Sequence, residues 1–157
     1  MTAELCARLA QMLTTRGWSM ATAESCTGGM IAAACTDLSG SSAWFERGYV
    51  TYSNAAKIEC LDVDAALIAT EGAVSEAVAR AMAAGAVARS HADVAVAVTG
   101  VAGPTGGSLA KPVGTVWFGW CVRGEMVSGV QHFQGDRAAV RAATVEHALR
   151  QLLLQLG

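Results

Sequence analysis

The chain has 157 residues, of which 53% are hydrophobic and 15% are charged, and its formal net charge is −2. This length suits one domain with one core, so we expect residues 1–157 to form a single domain. There is no run of Lys or Arg, which argues against nucleic acids and membrane surfaces as partners. No signal peptide or membrane-spanning run is visible, so we expect a cytoplasmic protein. The lean charged surface predicts a homo-oligomer, a dimer or higher.

The cysteines are odd in number and irregularly spaced, with no CxxC pair and no histidine nearby to complete a zinc site. We therefore expect reduced thiols, most of them small core residues, and neither a metal nor a cofactor. The five are Cys6, Cys26, Cys35, Cys60 and Cys121.

The first third of the chain reads as helix, strand, tight turn, helix. An apolar stripe at helical spacing, from Leu5 to Leu13, predicts a first helix that Gly17 stops. "WSMATAES" reads as a strand, and "MIAAACTDL" after the turn reads as a helix. The aromatic and β-branched run "WFERGYVTYS" predicts the next strand.

Helices dominate the middle of the chain. Ser53 is expected to cap a short helix through "NAAKIECL", and "AALIAT" predicts another helix or a turn. Ser75 is expected to cap a longer helix that runs to Arg89.

The last third begins with "DVAVAVTG", a nearly continuous apolar run that predicts a central strand buried on both faces. A glycine-rich loop follows, and then two strand-like runs form a hairpin turned at Gly124. Asp136 is expected to cap the last helix. Alternating strands and helices with one hairpin predict a layered α/β domain with a mixed sheet.

The stretch "TAESCTGGM" is the first candidate site, because it joins a strand to a helix start. Unpaired N–H groups and the helix dipole would hold an anion there, with hydroxyl donors from Ser25 and Thr27 and close approach at Gly28. A simpler reading is that Thr27 only caps the helix. A third reading makes Cys26 a nucleophile whose thiolate the helix start favours.

The stretch "GSSAWFERGYVTYSNAAK" is the second candidate, with Ser41, Ser42, Tyr52 and Lys57. A lysine near a helix start and partly buried should have a lowered pKa, so that its neutral amine can act as a base. Serine and lysine form a known nucleophile and base pair. The alternative is a solvated lysine beside a serine turn.

Two further stretches could bind a ligand. "TGVAGPTGG" leaves the buried strand at Thr99, and Gly100 and Gly103 would let the backbone close on a ligand at the carboxyl end of that strand. "QGDRAAVR" places Arg137 and Arg141 one helical turn apart, where they could clamp a phosphate or carboxylate. An ordinary turn and plain surface charges are the alternatives.

Together these stretches resemble the CinA C-terminal domain family in its stand-alone form, the nicotinamide-nucleotide amidohydrolases. The resemblance rests on "AESCTGG", "GSSAWFERGYVTYSNAAK", "GAVSEAVARAMAAGA", "TGVAGPTGG", "KPVGTVWFG" and "GDRAAVR", which cover nearly the whole chain. It implies a three-layer α/β/α fold. It also implies hydrolysis of the carboxamide of nicotinamide mononucleotide to nicotinate mononucleotide and ammonia in pyridine-nucleotide recycling, without metal or cofactor.

The resemblance also assigns roles to residues. It makes Ser42 the nucleophile, with Tyr52 and Lys57 assisting, either Lys57 alone or the two as a pair. The substrate pocket is implied at Ser25, Thr27, Gly28, Thr99 and the glycine loop with Gly100 and Gly103, together with an arginine, Arg137 in preference to Arg141.

Two departures and two alternatives accompany the resemblance. Longer relatives carry a further domain associated with nucleotide pyrophosphatase activity, for which 157 residues leave no room, so we expect that activity to be absent. The loop "SLAKP" lacks the acidic residue expected before Lys111. The alternatives are a catalytically silent domain that binds a nucleotide or protein, and an amidase that depends on Cys26.

Overall fold

The computed structural model describes residues 1–157. Six α-helices and five β-strands follow the predicted order, and a single turn of 3-10 helix, Ser41–Ala43, precedes the second strand. The elements are α1 Thr2–Arg16, β1 Met20–Glu24, α2 Met30–Thr36, β2 Phe45–Val50, α3 Asn54–Leu61, α4 Ala65–Glu71, α5 Glu76–Ala88, β3 Val94–Gly100, β4 Thr115–Val122, β5 Glu125–His132 and α6 Arg137–Leu156.

The strands form one mixed sheet in the order β2-β1-β3-β4-β5. Strand β1 is parallel to β2 and β3, whereas β4 runs antiparallel to both β3 and β5. The prediction of a central, buried β3 is confirmed, and so is the hairpin, which turns at Arg123 and Gly124. Because β1, β2 and β3 are parallel, their carboxyl ends meet at one edge of the sheet.

Helices cover both faces of this sheet, which confirms the predicted three-layer arrangement. The valines of β3, Val94, Val96 and Val98, join the core cluster that contains α1, α2 and α6. The alanines between them, Ala95 and Ala97, join the second cluster, which contains α4 and α5. This alternation follows from the strand period of two, which sends successive side chains to opposite faces.

Side-chain caps begin the helices where the sequence predicted them. Ser53, Ser75 and Asp136 each accept a hydrogen bond from a backbone N–H in the first turn of α3, α5 and α6. Gly17 ends α1 with a left-handed backbone, φ 67°. None of the helices combines the length and the hydropathy needed to cross a membrane.

Candidate active site

A pocket of about 210 Å³ opens at the edge of the sheet where β1, β2 and β3 end. In doubly wound α/β sheets ligands bind at this edge, where the connections leave for opposite faces. The pocket brings together seven of the residues that the sequence singled out: Ser25, Cys26, Tyr52, Lys57, Thr99, Gly100 and Arg137.

A serine and a lysine form the centre of this pocket. The Lys57 Nζ lies 3.0 Å from Ser25 Oγ, 3.0 Å from the Thr51 carbonyl oxygen and 3.1 Å from the Tyr52 carbonyl oxygen. Carbonyl oxygens only accept hydrogen bonds, so two N–H groups of the amine must point at them. The third N–H of the amine donates to Ser25 Oγ, and the Ser25 hydroxyl donates to the Tyr52 carbonyl oxygen at 3.4 Å. When the amine loses this third proton, a lone pair faces Ser25 Oγ, as a general base requires.

The environment of Lys57 favours this neutral amine. The side chain is 1% exposed and forms no salt bridge. Burial lowers the pKa of Lys57, because the charged form loses its hydration. The cap at Ser53 begins α3 four residues before Lys57, which directs the side chain back under the end of β2.

Ser25 continues the sheet for one residue beyond β1. Its N–H donates to the Val98 carbonyl oxygen at 3.1 Å, and its side chain is nearly buried, 8% exposed. The N–H groups of Cys26 and Thr27, which follow it, donate no backbone hydrogen bond. Unused N–H groups next to a serine can stabilise an oxyanion that forms when the serine attacks a carbonyl.

The start of α2, where the sequence predicted an anion cradle, contacts a side chain of the protein itself. The carboxylate of Glu24, which is fully buried, accepts from the N–H groups of Ile31 and Ala32 at 2.8 and 3.0 Å and from the Thr27 hydroxyl. The helix start therefore already holds an anion, supplied by the chain itself. Thr27 is fully buried in this contact and does not line the pocket.

Gly28 lies against an arginine instead of the pocket. Its backbone has φ +59°, and a Cβ there would lie 3.5 Å from an Nη atom of Arg141. Arg141 donates from Nε to the Cys26 carbonyl oxygen at 3.1 Å and from Nη2 to the Thr27 carbonyl oxygen at 3.2 Å. Both residues were predicted to contact a ligand, and the structure places both outside the pocket lining.

Arg137 is the arginine that lines the pocket. It donates to the Gly103 carbonyl oxygen at 3.0 Å and to the Tyr52 hydroxyl at 3.2 Å, and it forms no salt bridge. Its charge is therefore free to bind an anionic ligand. The Tyr52 hydroxyl contacts this arginine and not Lys57, so Tyr52 meets Lys57 only through its backbone carbonyl.

Ser42, which the sequence predicted as the nucleophile, lies at the other end of β2, so the structure does not bring it to Lys57. It is exposed in the 3-10 turn before the strand, whereas the carbonyl groups that hold Lys57 follow the strand. The six residues of β2 span about 17 Å. The sequence motif places Ser42 and Lys57 close along the chain, but the extended strand between them separates them in space.

Cys26 lines the pocket but is not a favoured nucleophile. It is 5% exposed, and burial raises the pKa of its thiol to about 11. A thiolate is therefore scarce at neutral pH, the opposite of what the helix-start argument predicted.

The end of β3 and the α4–α5 connection also line the pocket. The Thr99 hydroxyl donates to the Ala73 carbonyl oxygen at 2.9 Å and fixes that connection beside the pocket. Gly100 is required by packing, since a Cβ there would lie 2.7 Å from the Val116 side chain. Gly103 does not line the pocket, but its carbonyl holds Arg137.

Four other lining residues were missed by the sequence reasoning: Asn54, Ala73, Val74 and Ala102. Asn54 stands directly after the Ser53 cap, and that neighbourhood was the only signal that could have found it. The alanines and the valine carry no chemical signature. No group of three or more His, Cys, Asp or Glu side chains is arranged to hold a metal ion.

Fold and pocket together define a doubly wound α/β protein with a serine–lysine pair at the carboxyl edge of its parallel strands. The family model of the CinA C-terminal domain matches residues 2–156. The chain belongs to the CinA C-terminal domain family.

Curated relatives of nearly the same length carry one name, nicotinamide-nucleotide amidohydrolase PncC. The relative from Pseudomonas putida is 56% identical over 98% of this chain and 95% of its own. The relative from Enterobacter agglomerans is 52% identical over 96% of this chain and 92% of its own. The relative from Escherichia coli K12 is 50% identical over 97% of this chain and 93% of its own.

Solved structures agree with the fold. A crystal structure of a competence damage-inducible protein A from Klebsiella pneumoniae superposes with a TM-score of 0.96 and 44% identity, covering 99% of this chain and 96% of that chain. A competence/damage-inducible protein from Agrobacterium tumefaciens gives a TM-score of 0.95 with 46% identity, covering 99% and 94%.

Proposed function

We propose that the chain is an amidase that hydrolyses the carboxamide of nicotinamide mononucleotide to nicotinate mononucleotide and ammonia, in pyridine-nucleotide recycling. The observation that carries the proposal is the 3.0 Å contact between Ser25 Oγ and the buried Lys57 Nζ. The relatives' name, nicotinamide-nucleotide amidohydrolase, supports the substrate. In this proposal Ser25 replaces Ser42 as the nucleophile.

The first half of the reaction transfers the acyl group to Ser25. Neutral Lys57 takes the hydroxyl proton while Ser25 Oγ forms a bond to the carboxamide carbon. The resulting oxyanion accepts a hydrogen bond from the N–H group of Cys26, which lines the pocket. Lys57 then gives its proton to the amide nitrogen, the C–N bond breaks, and ammonia leaves an ester on Ser25.

The second half returns the enzyme to its starting state. Lys57 takes a proton from a water molecule, the water oxygen bonds to the ester carbon, and the bond to Ser25 Oγ breaks. The proton returns to Ser25, and the product acid releases its remaining proton to solvent and leaves as the carboxylate. The same base and the same N–H group serve both halves, which makes one base sufficient.

In this proposal, Arg137 makes the enzyme specific for a mononucleotide. Its guanidinium lines the pocket without a carboxylate partner, and no Asp or Glu lines the pocket either. A phosphate bound to Arg137 supplies binding energy remote from the amide, which orients the amide at Ser25.

The test is ammonia release from nicotinamide mononucleotide by the wild type, Ser25→Ala and Ser42→Ala proteins. We expect the wild type to turn over and Ser25→Ala to lose at least about 10³-fold in kcat, because no other nucleophile lies at the base. We expect Ser42→Ala to retain the wild-type rate.

Three results contradict parts of the proposal. Loss of activity in Ser42→Ala with retention in Ser25→Ala would restore the serine that the family resemblance indicated. Retention in both would point to Cys26. No turnover by folded wild type that still binds the mononucleotide in calorimetry would make the chain a silent binding domain.

A further inference from the structure

Asn54 lines the pocket with a side-chain amide that the protein itself does not use. It is the first residue of α3 and is exposed. The cap of this helix is Ser53, which accepts from the Ala56 N–H at 3.0 Å, so the cap does not occupy Asn54. The amide of Asn54 forms no hydrogen bond within the protein. Its carbonyl oxygen and its two N–H groups are therefore available to a ligand.

The other polar side chains of the pocket already have partners. The hydroxyl groups of Ser25 and Thr99 each donate to a backbone carbonyl oxygen. Arg137 carries only donors. Asn54 is therefore the only lining side chain that offers a carbonyl oxygen to a bound molecule.

The position of Asn54 on α3 relates it to the leaving group of the reaction. Asn54 and Lys57 lie three residues apart, so their side chains lie on the same face of the helix. Lys57 is 1% exposed and reaches Ser25 Oγ, whereas Asn54 is exposed, so Asn54 lies on the open side of the amine. In the proposed reaction the amide nitrogen takes its proton from Lys57, which places this nitrogen beside the same face of α3.

The size of the pocket indicates which part of the substrate fills it. Pockets for drug-sized ligands have about 300–1,000 Å³. This pocket has about 210 Å³, which suits the pyridine ring with its carboxamide and not the whole mononucleotide. The two N–H groups of the carboxamide are the only N–H donors of that ring system, so they need an acceptor within this pocket.

We propose that Asn54 is a specificity-determining residue of the amidase, whose Oδ1 accepts a hydrogen bond from the N–H of the substrate carboxamide. This inference rests on the proposed function. The bond selects a primary carboxamide over an ester, because an ester has no N–H at the leaving atom, and a site that binds an N–H group loses this contact with an analogue that lacks it. The same bond holds the nitrogen beside Lys57, which protonates it.

The experiment compares the wild type, Asn54→Ala, Asn54→Gln and Gln131→Ala on two substrates, nicotinamide mononucleotide and the methyl ester of nicotinate mononucleotide. Hydrolysis of either substrate gives nicotinate mononucleotide, with ammonia or methanol as the second product, so chromatography of one product measures both reactions. Gln131→Ala removes an exposed side-chain amide from β5, outside the pocket. Circular dichroism and thermal melting verify the fold, and alanine is a good residue for a helix.

We expect Asn54→Ala to lower kcat/KM for the amide by about 10-fold, near the upper limit for one neutral hydrogen bond. The ester should stay within about threefold of the wild-type value, because it never made this bond. The preference for amide over ester therefore falls, which a general structural loss would not cause. Asn54→Gln should recover part of the preference, since it keeps the amide on a longer side chain. Gln131→Ala should behave as wild type.

Equal losses on the two substrates in folded Asn54→Ala would overturn the inference, since Asn54 would then not act through the N–H. Unchanged kcat/KM on both substrates would overturn it too. If the wild type hydrolyses neither substrate, the proposed function fails, and calorimetry then decides the inference. In that case Asn54→Ala should weaken binding of nicotinamide mononucleotide and spare the ester, and an equal loss of affinity for both would overturn the inference.

Discussion

The two ends of β2 carry two halves of one sequence motif and differ in almost every physical respect. At the amino end Ser42 is exposed in a 3-10 turn. At the carboxyl end the carbonyl groups of Thr51 and Tyr52 hold a lysine that is 1% exposed. The carboxyl end lies beside the carboxyl ends of β1 and β3, and there Ser25, Lys57 and Thr99 converge on one pocket.

The comparison shows why burial matters more than residue type for this pair. Ser42, in its exposed turn, is not brought to Lys57. Ser25 Oγ, by contrast, lies 3.0 Å from the Lys57 amine, whose pKa burial lowers. The elements that create this difference are the parallel pairing of three strands and the short helix α3, which returns Lys57 to the sheet edge.

The largest expected effect comes from removing the base at the carboxyl end. Lys57→Met should lower kcat for ammonia release by about 10³-fold, since Ser25 would lose its proton acceptor. The matched control is Lys111→Met, because the Lys111 amine instead donates to the Glu71 carbonyl oxygen away from Ser25. Equal kcat values for Lys57→Met and Lys111→Met would contradict the role of Lys57 as the base at the carboxyl end of β2.

Arg137→Ala tests how the carboxyl edge of the sheet binds the phosphate of the mononucleotide. A lost charge-assisted hydrogen bond is worth about 1.5–3 kcal/mol, so KM for the mononucleotide should rise by about 10- to 100-fold. Arg137→Ala should hardly change KM for nicotinamide riboside, which lacks the phosphate. A similar rise for both substrates, measured in the same ammonia assay, would show that Arg137 does not recognise the phosphate.

The pH dependence of kcat/KM tests the buried amine directly. Because the neutral amine is the active form, activity should rise with pH by about tenfold per unit until Lys57 has lost its proton. The midpoint should lie below the ordinary lysine value of 10.5, because burial lowers the pKa. If kcat/KM instead falls as the pH rises toward this midpoint, Lys57 is excluded as the general base.

The smallest effect is expected at Cys26. With its pKa near 11, only about one part in a thousand of the thiol is ionised at pH 8. Cys26→Ala should therefore keep kcat within about threefold, and iodoacetamide should modify the exposed Cys60 first. Mass spectrometry of the alkylated protein locates the modified thiol, and modification of Cys26 before Cys60 would contradict this expectation.

Much of the fold could be predicted because its signals are local. The helix caps at Ser53, Ser75 and Asp136 and the buried run of β3 depend on neighbouring residues and on periodicity, and the structure confirms them. The association state and the cellular compartment stay predictions of the sequence. The roles of Ser42 and Thr27 could not be judged locally, because they depend on which groups the sheet brings near them.

By itself, the sequence determined the order of elements, the mixed sheet, and the residue types of the site: a lysine, serines and an arginine near strand ends. Only the tertiary structure decided that Ser25 meets Lys57, that Glu24 occupies the start of α2, and that Arg137 and Arg141 have different tasks. The physical reason is that hydrogen bonds and burial act over a few ångströms in space, and the distance between two residues along the chain does not report that separation.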